Sequence, residues 1–230
     1  MSERALRRPA RHGYGLVLVL IVATYVLALV PGERWLPTVL LVLQTGTVWL
    51  ALRVSRARPV VRIASAAVVA LAMVAAAFAL FAPGRPLTGL TFLAAGGLYL
   101  VAPFSIVRDI GVHRRVDRQT MLGALAAYLL IGMAFGFAYA CVAALQPGPL
   151  FGDAGDPALP QALFFSFVTL TTTGYGDLVP ATNPAQSIAV LEALIGQLFL
   201  ITAVAKVVEN WRPRGWRHTS EDSGDATGRG

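Results

Sequence analysis

The sequence predicts an all-α integral membrane protein with six transmembrane helices and a short re-entrant helix between helices five and six. Apolar residues make up 56% of the chain and charged residues only 13%, whereas soluble domains carry about 25% charged residues. The apolar residues are concentrated in six long runs, which is the pattern of a multi-pass membrane protein. A further apolar segment, too long for a tight turn, separates the last two runs and predicts the re-entrant helix.

Each of the six runs approaches the ~20 helical residues needed to cross ~30 Å of hydrocarbon. Turns rich in Pro and Gly separate several of them, as at Pro31–Gly32, Pro83–Pro86 and Gln146–Pro149. The first two runs are short and closely joined, which predicts a helical hairpin. The predicted spans are Tyr14–Val30, Trp35–Leu52, Val60–Phe81, Leu87–Val107, Gln119–Leu145 and Ala185–Val208.

The positions of the basic residues predict the orientation of these spans. Of the 19 Lys and Arg residues, all but Arg34 and Arg85 fall on one side of a six-span chain. Basic loops stay in the cytoplasm, so both termini are expected there, with the segment between spans five and six outside. Because the arginines cluster between apolar runs, the net charge of +7 indicates membrane orientation rather than nucleic-acid binding. The first run is expected to be an uncleaved helix, not a signal peptide.

The segment between spans five and six predicts a short buried helix followed by an unusual backbone. Asp156–Pro157 and Pro160 offer helix starts before the apolar run 162–170. The chain then reads Thr-Leu-Thr-Thr-Thr-Gly-Tyr-Gly-Asp from Thr169 to Asp177. Glycine reaches backbone angles that residues with a Cβ avoid, so this run can turn successive carbonyls to one side. Rings of such carbonyls replace the water shell of a bare cation.

This run resembles the filter signature of the potassium-channel superfamily, and the likeness extends from span five to span six. It implies that Thr172 supplies a hydroxyl and a carbonyl to the inner potassium site of a selectivity filter. It also implies that Thr173, Gly174 and Tyr175 supply the carbonyl rings above that site. Potassium ions, as the permeant species, would therefore bind at these four residues.

The same resemblance implies a set of supporting residues around the filter. Gly176 would allow the outward turn of the chain, Asp177 would brace the filter from behind near its outer mouth, and Thr171 would be a further filter support. The Tyr175 ring is expected to pack against Phe164 and Phe165, two aromatic residues of the short helix.

Two departures from the family pattern bear on this filter. Thr173 stands where the family usually has Val or Ile, and Phe164 and Phe165 stand where many members have Trp or Tyr. Thr keeps the β-branched shape but adds a hydroxyl, and Phe lacks a donor for Asp177. We expect selectivity to survive these changes, which put the stability of the filter in question.

Span six contains two further candidate residues. Gly196 stands where the family often has a hinge glycine, so it is either a gating hinge or a site of close helix packing. Glu192 lies near the outer end of this span, where support of the pore is the expected role. Gly132 and Gly136 in span five form a small-xxx-small pair, which indicates helix packing.

The resemblance divides the chain into five regions. They are a cytoplasmic N-terminus (1–13), a four-helix scaffold (14–107), a cytoplasmic linker (108–118), a pore domain (119–208) and a largely disordered cytoplasmic tail (209–230). The fourth span has no basic residue between Leu87 and Val107, so the scaffold lacks the arginines of a voltage sensor. The linker arginines either only mark topology, or the linker also couples the scaffold to the gate or holds anionic lipid head groups.

The predicted function is passive, potassium-selective permeation in the cell membrane, without cofactor, catalytic residues or nucleic-acid partner. A single pore loop supplies one quarter of a four-fold filter, so a homotetramer is expected. The alternative is a non-conducting or weakly selective cation channel or a sensory membrane subunit. A transporter with four degenerate pore loops on one chain is disfavoured because no internal repeat is seen. An enzyme is disfavoured because no set of catalytic side chains occurs.

Overall fold

The computed structural model of this chain describes residues 13–30, 36–54, 63, 66–68, 70, 85–112 and 118–210. All of the regular structure in these residues is helical, as the sequence predicts. A single 3₁₀ turn, Gly152–Ala154, precedes the short fifth helix. The helices are α1 (Gly13–Ala28), α2 (Leu36–Val54), α3 (Arg85–Val112), α4 (Arg118–Leu145), α5 (Leu159–Leu170) and α6 (Ala185–Asn210).

The helices follow the predicted spans closely wherever the structure describes them. Helices α1, α2, α3, α4 and α6 correspond to spans one, two, four, five and six, and α5 is the short helix predicted between the last two. Helix α3 continues beyond the predicted span to Val112, into the predicted linker. The predicted third span, Val60–Phe81, lies almost entirely outside the described residues.

Three of the described helices are long and apolar enough to cross a membrane. They are Thr88–Val107 in α3, Gln119–Leu145 in α4 and Ala185–Lys206 in α6, with mean hydropathies of 1.9, 2.0 and 2.2. Apolar helix α1 is shorter, at 16 residues or ~24 Å of rise. The three long helices indicate a membrane protein and agree with the predicted all-α class.

Helix α4 is the centre of the structure, because α1, α3, α5 and α6 all pack against it. Its contact with α3 is close. A Cβ added at Gly96 would lie 3.2 Å from the Ala134 carbonyl oxygen. One turn further along α3, the Tyr99 ring stacks on Phe137 with 5.6 Å between ring centroids. A glycine and an aromatic pair therefore fix the spacing between these two helices.

Polar side chains inside the first helices are satisfied by backbone carbonyls. Buried Gln44 of α2 donates to the Ala95 carbonyl of α3 at 2.7 Å, which joins the two helices. Thr24 and Thr47 each donate to the carbonyl four residues earlier in their own helix, at 2.7 Å. Such bonds are the ordinary way in which hydroxyl groups are accommodated in apolar helices.

The small-xxx-small pair of α4 forms the seat of α5. A Cβ at Gly132 would lie 2.5 Å from Cε1 of Phe167, and one at Gly136 would lie 2.5 Å from Cδ2 and 3.1 Å from Cα of Leu163. The two glycines are one helical turn apart, and each removes a side chain where α5 crosses α4. The prediction that this pair serves packing is supported by these contacts.

Replacing Gly136 by Ala is expected to destabilise the protein, because the new methyl group meets the backbone of α5 at Leu163. Overpacking of this kind typically costs about 1–3 kcal/mol. The matched control is Gly97→Ala in α3, where an added Cβ has no atom within 4 Å. Thermal unfolding in detergent is expected to show a lower midpoint for Gly136→Ala alone. Equal midpoints for both variants would contradict the close seat described above.

Candidate functional site

The short helix α5 begins at Leu159. It does not begin at Asp156–Pro157, the earlier of the two helix starts that the sequence predicts. Pro160 lies in its first turn, as predicted, and Gln161 Oε1 accepts the Ala158 backbone N–H at 2.9 Å. Asp156 does not cap this helix. Its Oδ1 instead accepts the Leu150 N–H at 2.9 Å, which is a correction to its predicted role. The helix runs for 12 residues and buries Leu163, Phe165 and Leu170.

The chain leaves α5 in an alternating backbone conformation. Thr172, Gly174 and Gly176 have φ values of 57°, 55° and 84°, whereas Thr173 and Tyr175 between them do not have positive φ. Thr172 is the only residue other than glycine with positive φ in the described part of the chain. A left-handed conformation costs a residue with a Cβ about 1–2 kcal/mol, so the surroundings must hold Thr172 in place.

Hydrogen bonds to the last turn of α5 hold this backbone. The Thr172 N–H donates to the Thr169 carbonyl at 2.9 Å, and the Thr173 N–H donates to the Val168 carbonyl at 2.9 Å. The Gly174 N–H makes a longer contact with the same Val168 oxygen at 3.4 Å. In a trans peptide the C=O points opposite to the N–H. The carbonyls of residues 171, 172 and 173 therefore point away from α5, towards the exposed side of the segment.

The hydroxyl of Thr173 has a partner within the same segment. Its Oγ1 lies 2.9 Å from Thr171 Oγ1, and Thr171 Oγ1 in turn donates to the Phe167 carbonyl at 2.7 Å. The Thr hydroxyl that replaces the usual apolar side chain is therefore joined to the C-terminal turn of α5. Sequence reasoning named Thr171 as a filter support but did not identify this pair of hydroxyl contacts.

Phe164 and Phe165, the two residues of α5 expected to pack against Tyr175, have different surroundings. The Phe164 ring is parallel to Tyr175, with 6.1 Å between centroids and an angle of 2° between planes. Phe165 points elsewhere, edge-on to Tyr139 at 4.8 Å and to Phe151 at 5.0 Å. Tyr175 itself is 71% exposed in the single chain. Phe164 thus faces the Gly-Tyr-Gly segment, while Phe165 joins α5 to α4 and the preceding loop.

Backbone contacts tie the loop before α5 to the chain after the Gly-Tyr-Gly segment. The Ala181 N–H donates to the Leu150 carbonyl at 2.9 Å, and Gln186 Nε2 donates to the Pro180 carbonyl at 3.0 Å. Asp177, which directly follows the Gly-Tyr-Gly segment, is exposed. The ends of the exposed segment are therefore fixed on both sides.

Gly196 lies against the C-terminal end of α5. A Cβ at this position would overlap the Leu170 carbonyl oxygen, so α6 reaches α5 only because residue 196 has no side chain. The Tyr128 hydroxyl of α4 donates to the same Leu170 oxygen at 3.1 Å. This geometry supports the packing interpretation of Gly196. Its other interpretation, as a gating hinge, stays a prediction.

A buried polar cluster lies between α4, α5 and α6. Glu192 of α6 is 0% exposed, and its carboxyl group contacts the Ser166 hydroxyl of α5 and the Tyr139 hydroxyl of α4. Sequence reasoning singled out Glu192 but missed both partners. Ser166 is the signal that was available, because it interrupts the apolar residues of α5.

The described residues contain no group of three or more His, Cys, Asp or Glu side chains that could hold a metal ion. The candidate ligands are instead backbone carbonyls and hydroxyls of the Thr172–Tyr175 segment. Oxygen atoms of this kind suit a bare alkali cation. The C-terminal end of α5 points at the same segment, and its partial negative charge also favours a cation.

Comparisons with known proteins match the region of the chain that contains this segment. Residues 124–211, from α4 to the end of α6, match a family model described as "Ion channel". Human potassium voltage-gated channel subfamily A member 6 is 30% identical over 106 residues, or 44% of this chain and 18% of that protein. The potassium voltage-gated channel protein shk-1 of Caenorhabditis elegans is 36% identical over 70 residues, or 28% and 13%.

A bacterial relative matches over a similar region. The inward rectifier potassium channel Kirbac3.1 of Paramagnetospirillum magnetotacticum is 36% identical over 80 residues, which are 35% of this chain and 25% of that protein. The chain thus spans a quarter or less of the length of these relatives. No solved structure matches the chain significantly.

These matches confirm the resemblance to the potassium-channel superfamily, and the match to the ion-channel model covers residues 124–211. The prediction that the protein is not an enzyme is also confirmed, because the family and the relatives are channels.

Replacing Gly196 by Ala separates the two interpretations of this residue. If close packing is its role, the added methyl group pushes α6 away from Leu170 and lowers the unfolding temperature in detergent. A pure hinge would leave the stability unchanged and alter only channel opening. We expect a clear loss of stability. Gly46→Ala in α2 is the control, because an added Cβ there meets nothing within 4 Å.

Proposed function

We propose that this protein is a potassium-selective ion channel in which ions move passively through a tetrameric pore. The observation that carries the proposal is the alternating backbone from Thr172 to Gly176, whose first three amides donate to α5 while the carbonyls of residues 171–173 point away from it. Such carbonyls can replace the hydration shell of K⁺ at little cost. The ion-channel domain and the potassium-channel relatives support the same function.

The filter residues that we propose are supported by this geometry and by the family resemblance. Thr172, Thr173, Gly174 and Tyr175 would coordinate potassium, with the hydroxyl of Thr172 at the inner end. The supporting residues would be Thr171 and Phe164, which contact the segment, Phe165, which fixes α5, and Gly176 and Asp177 at the outer turn. No resident cofactor is needed, since the protein supplies only oxygen ligands.

A tetramer is supported by the exposure of the filter segment. Residues 171–177 are all exposed in the single chain, although they would lie at membrane depth between two spanning helices. Non-helical backbone at that depth is tolerated only when protein or water surrounds it. Four copies around a closed axis would enclose it and bring four sets of carbonyls together. Apolar side chains of α6 that are exposed in the single chain are available for the same contacts, among them Val190, Leu194, Leu198 and Ile201.

The rest of the topology completes the proposal. The chain would cross the cell membrane six times, with both termini in the cytoplasm and α5 re-entering from outside. Regions 14–107 and 119–208 would be the scaffold and the pore domain, joined by the cytoplasmic linker 108–118 and flanked by cytoplasmic segments 1–13 and 209–230. Cytoplasmic arginines would contact anionic lipid head groups.

Potassium flux into liposomes tests the filter directly. The purified protein is expected to pass K⁺ in preference to Na⁺ and to be blocked by Ba²⁺, which is similar in size to K⁺ but divalent. Gly174→Ala should abolish selective flux, because L-residues rarely adopt φ near 55°. The matched control is Gly148→Ala, which places the same strain at φ 93° in the loop before α5.

The controls of this experiment separate the channel from its alternatives. Equal permeation of Na⁺ and K⁺ would indicate a weakly selective cation channel and would overturn the proposed selectivity. No flux from well-folded protein would indicate a non-conducting sensory subunit. Loss of flux in both glycine variants would mean that general misfolding, rather than the filter, is responsible.

Voltage dependence is expected to be shallow. Helix α3 contains no charged residue from Thr88 to Val107, and Arg108 marks its predicted cytoplasmic side. One elementary charge moved through the field contributes about 2.3 kcal/mol per 100 mV, so steep gating needs several such charges. A conductance–voltage curve in symmetric potassium measures this quantity. An effective gating charge of several units, removed by Arg108→Gln, would show that the scaffold senses voltage.

A further inference from the structure

The carboxyl group of Glu192 joins three helices at one buried point. Its Oε2 lies 2.7 Å from the Tyr139 hydroxyl of α4, and its Oε1 lies 2.5 Å from Ser166 Oγ of α5. Glu192 and Ser166 are both 0% exposed, and so is Tyr139. An acidic side chain buried in an apolar helix is costly unless it has partners, which makes its role a question in its own right.

The number of protons available in this cluster indicates the protonation state of the Glu192 carboxyl group. Ser166 Oγ lies 2.7 Å from the Gly132 carbonyl oxygen and 2.5 Å from Glu192 Oε1. A hydroxyl has one proton, and a carbonyl can only accept. If Glu192 were ionised, it could also only accept, so one of the two contacts would lack a proton. With a neutral Glu192, the acid donates to Ser166, Ser166 donates to Gly132, and Tyr139 donates to Glu192.

The surroundings of the cluster agree with a neutral acid. The groups that face the carboxyl among the described residues are hydroxyls, those of Tyr139 and Ser166. Tyr128, further along α4, donates to the Leu170 carbonyl. Lys206, the basic residue of the described part of α6, is fourteen positions further on, or ~21 Å along the helix axis. Among the residues that the structure describes, an ionised Glu192 would thus have no cation beside it to offset its burial.

The position of Glu192 links it to the filter through helical spacing. Glu192 and Gly196 are four residues apart on α6, and their contacts, Ser166 and Leu170, are four residues apart on α5. Residues at this spacing share a helix face. The two contacts therefore form one seam between α5 and α6, and this seam ends at the residue before Thr171, where the filter segment begins.

We propose that Glu192 is a positioning residue that, as a neutral carboxylic acid, fixes α5 between α4 and α6 and so sets the position of the filter. It does not coordinate the permeant ion, because it is fully buried behind α5. The flux measurement of this inference rests on the proposed channel function. The measurements of stability and of infrared spectra test the role of Glu192 whether or not the protein conducts.

Three variants of the full chain test the proposal. Glu192→Gln keeps one donor and one acceptor, so its amide can donate to Ser166 and accept from Tyr139. Glu192→Leu has a similar size but removes both bonds. We expect the Gln variant to unfold at the wild-type temperature and conduct within a few-fold of wild type, whereas the Leu variant unfolds several degrees lower and loses most selective flux. Tyr139→Phe removes the Tyr139 bond without altering the acid.

Infrared difference spectra between the wild type and the variants measure the protonation state of Glu192. A merely structural role would not require a protonated acid. At neutral pH the wild type should show the C=O stretching band of a protonated carboxylic acid, absent from Glu192→Gln and shifted to higher frequency in Tyr139→Phe. Absence of this band from the wild type would overturn the proposal, as would a Gln variant as unstable as the Leu variant. Loss of flux in the wild type with the band present would instead refute only the channel function. The test remains valid if Glu192→Leu fails to fold, because Glu192→Gln keeps a polar side chain of the same size and Tyr139→Phe keeps the aromatic ring.

Discussion

The bonds between the last turn of α5 and the amides of Thr172, Thr173 and Gly174 are the interaction on which the rest of the structure depends. They satisfy three N–H groups of a non-helical backbone and direct the carbonyls of residues 171–173 away from the helix. In the proposed channel, potassium ions would be the partners of these carbonyls. Any displacement of α5 would displace these carbonyls with it. The proposed function therefore requires the fold to hold one short helix still.

The contacts around α5 meet this demand by two different means. Where backbone must approach backbone, glycine removes the obstacle, at Gly136 beneath Leu163 and at Gly196 beside Leu170. Where the helices lie further apart, hydroxyl and carboxyl groups bridge the gap, as Ser166 and Glu192 do. Steric contacts fix distance, and hydrogen bonds fix rotation about the helix axis. A helix of 12 residues in a predominantly apolar setting needs both, because apolar packing alone has little directional preference.

The sequence was sufficient to predict the helices that the structure describes, including the short helix α5, and the unusual backbone that follows it. Each of these features depends on local composition or on a run of adjacent residues. The limits of the sequence appear at contacts between distant residues. The pairing of Glu192 with Tyr139 joins positions in different helices, and no periodicity encodes it. The same holds for Gly196, whose role is determined by the Leu170 carbonyl rather than by its own neighbours. The helix start predicted at Asp156 was wrong. An acidic residue before a proline is a common helix start, but here the Asp156 carboxylate accepts the N–H of Leu150 in the loop before α5.

Helix α1 also contacts α5 directly. The Phe167 ring of α5 lies against Gly132 of α4, and it packs against Tyr25 of α1 at 5.5 Å between centroids, with planes at 89°. Phe167 is also the residue whose carbonyl accepts the Thr171 N–H and hydroxyl. A movement of α1 would therefore act on α5 at a residue whose backbone holds Thr171, directly before the Thr172–Tyr175 segment. In the proposed channel, α1 would thus reach the filter through direct side-chain contact with α5.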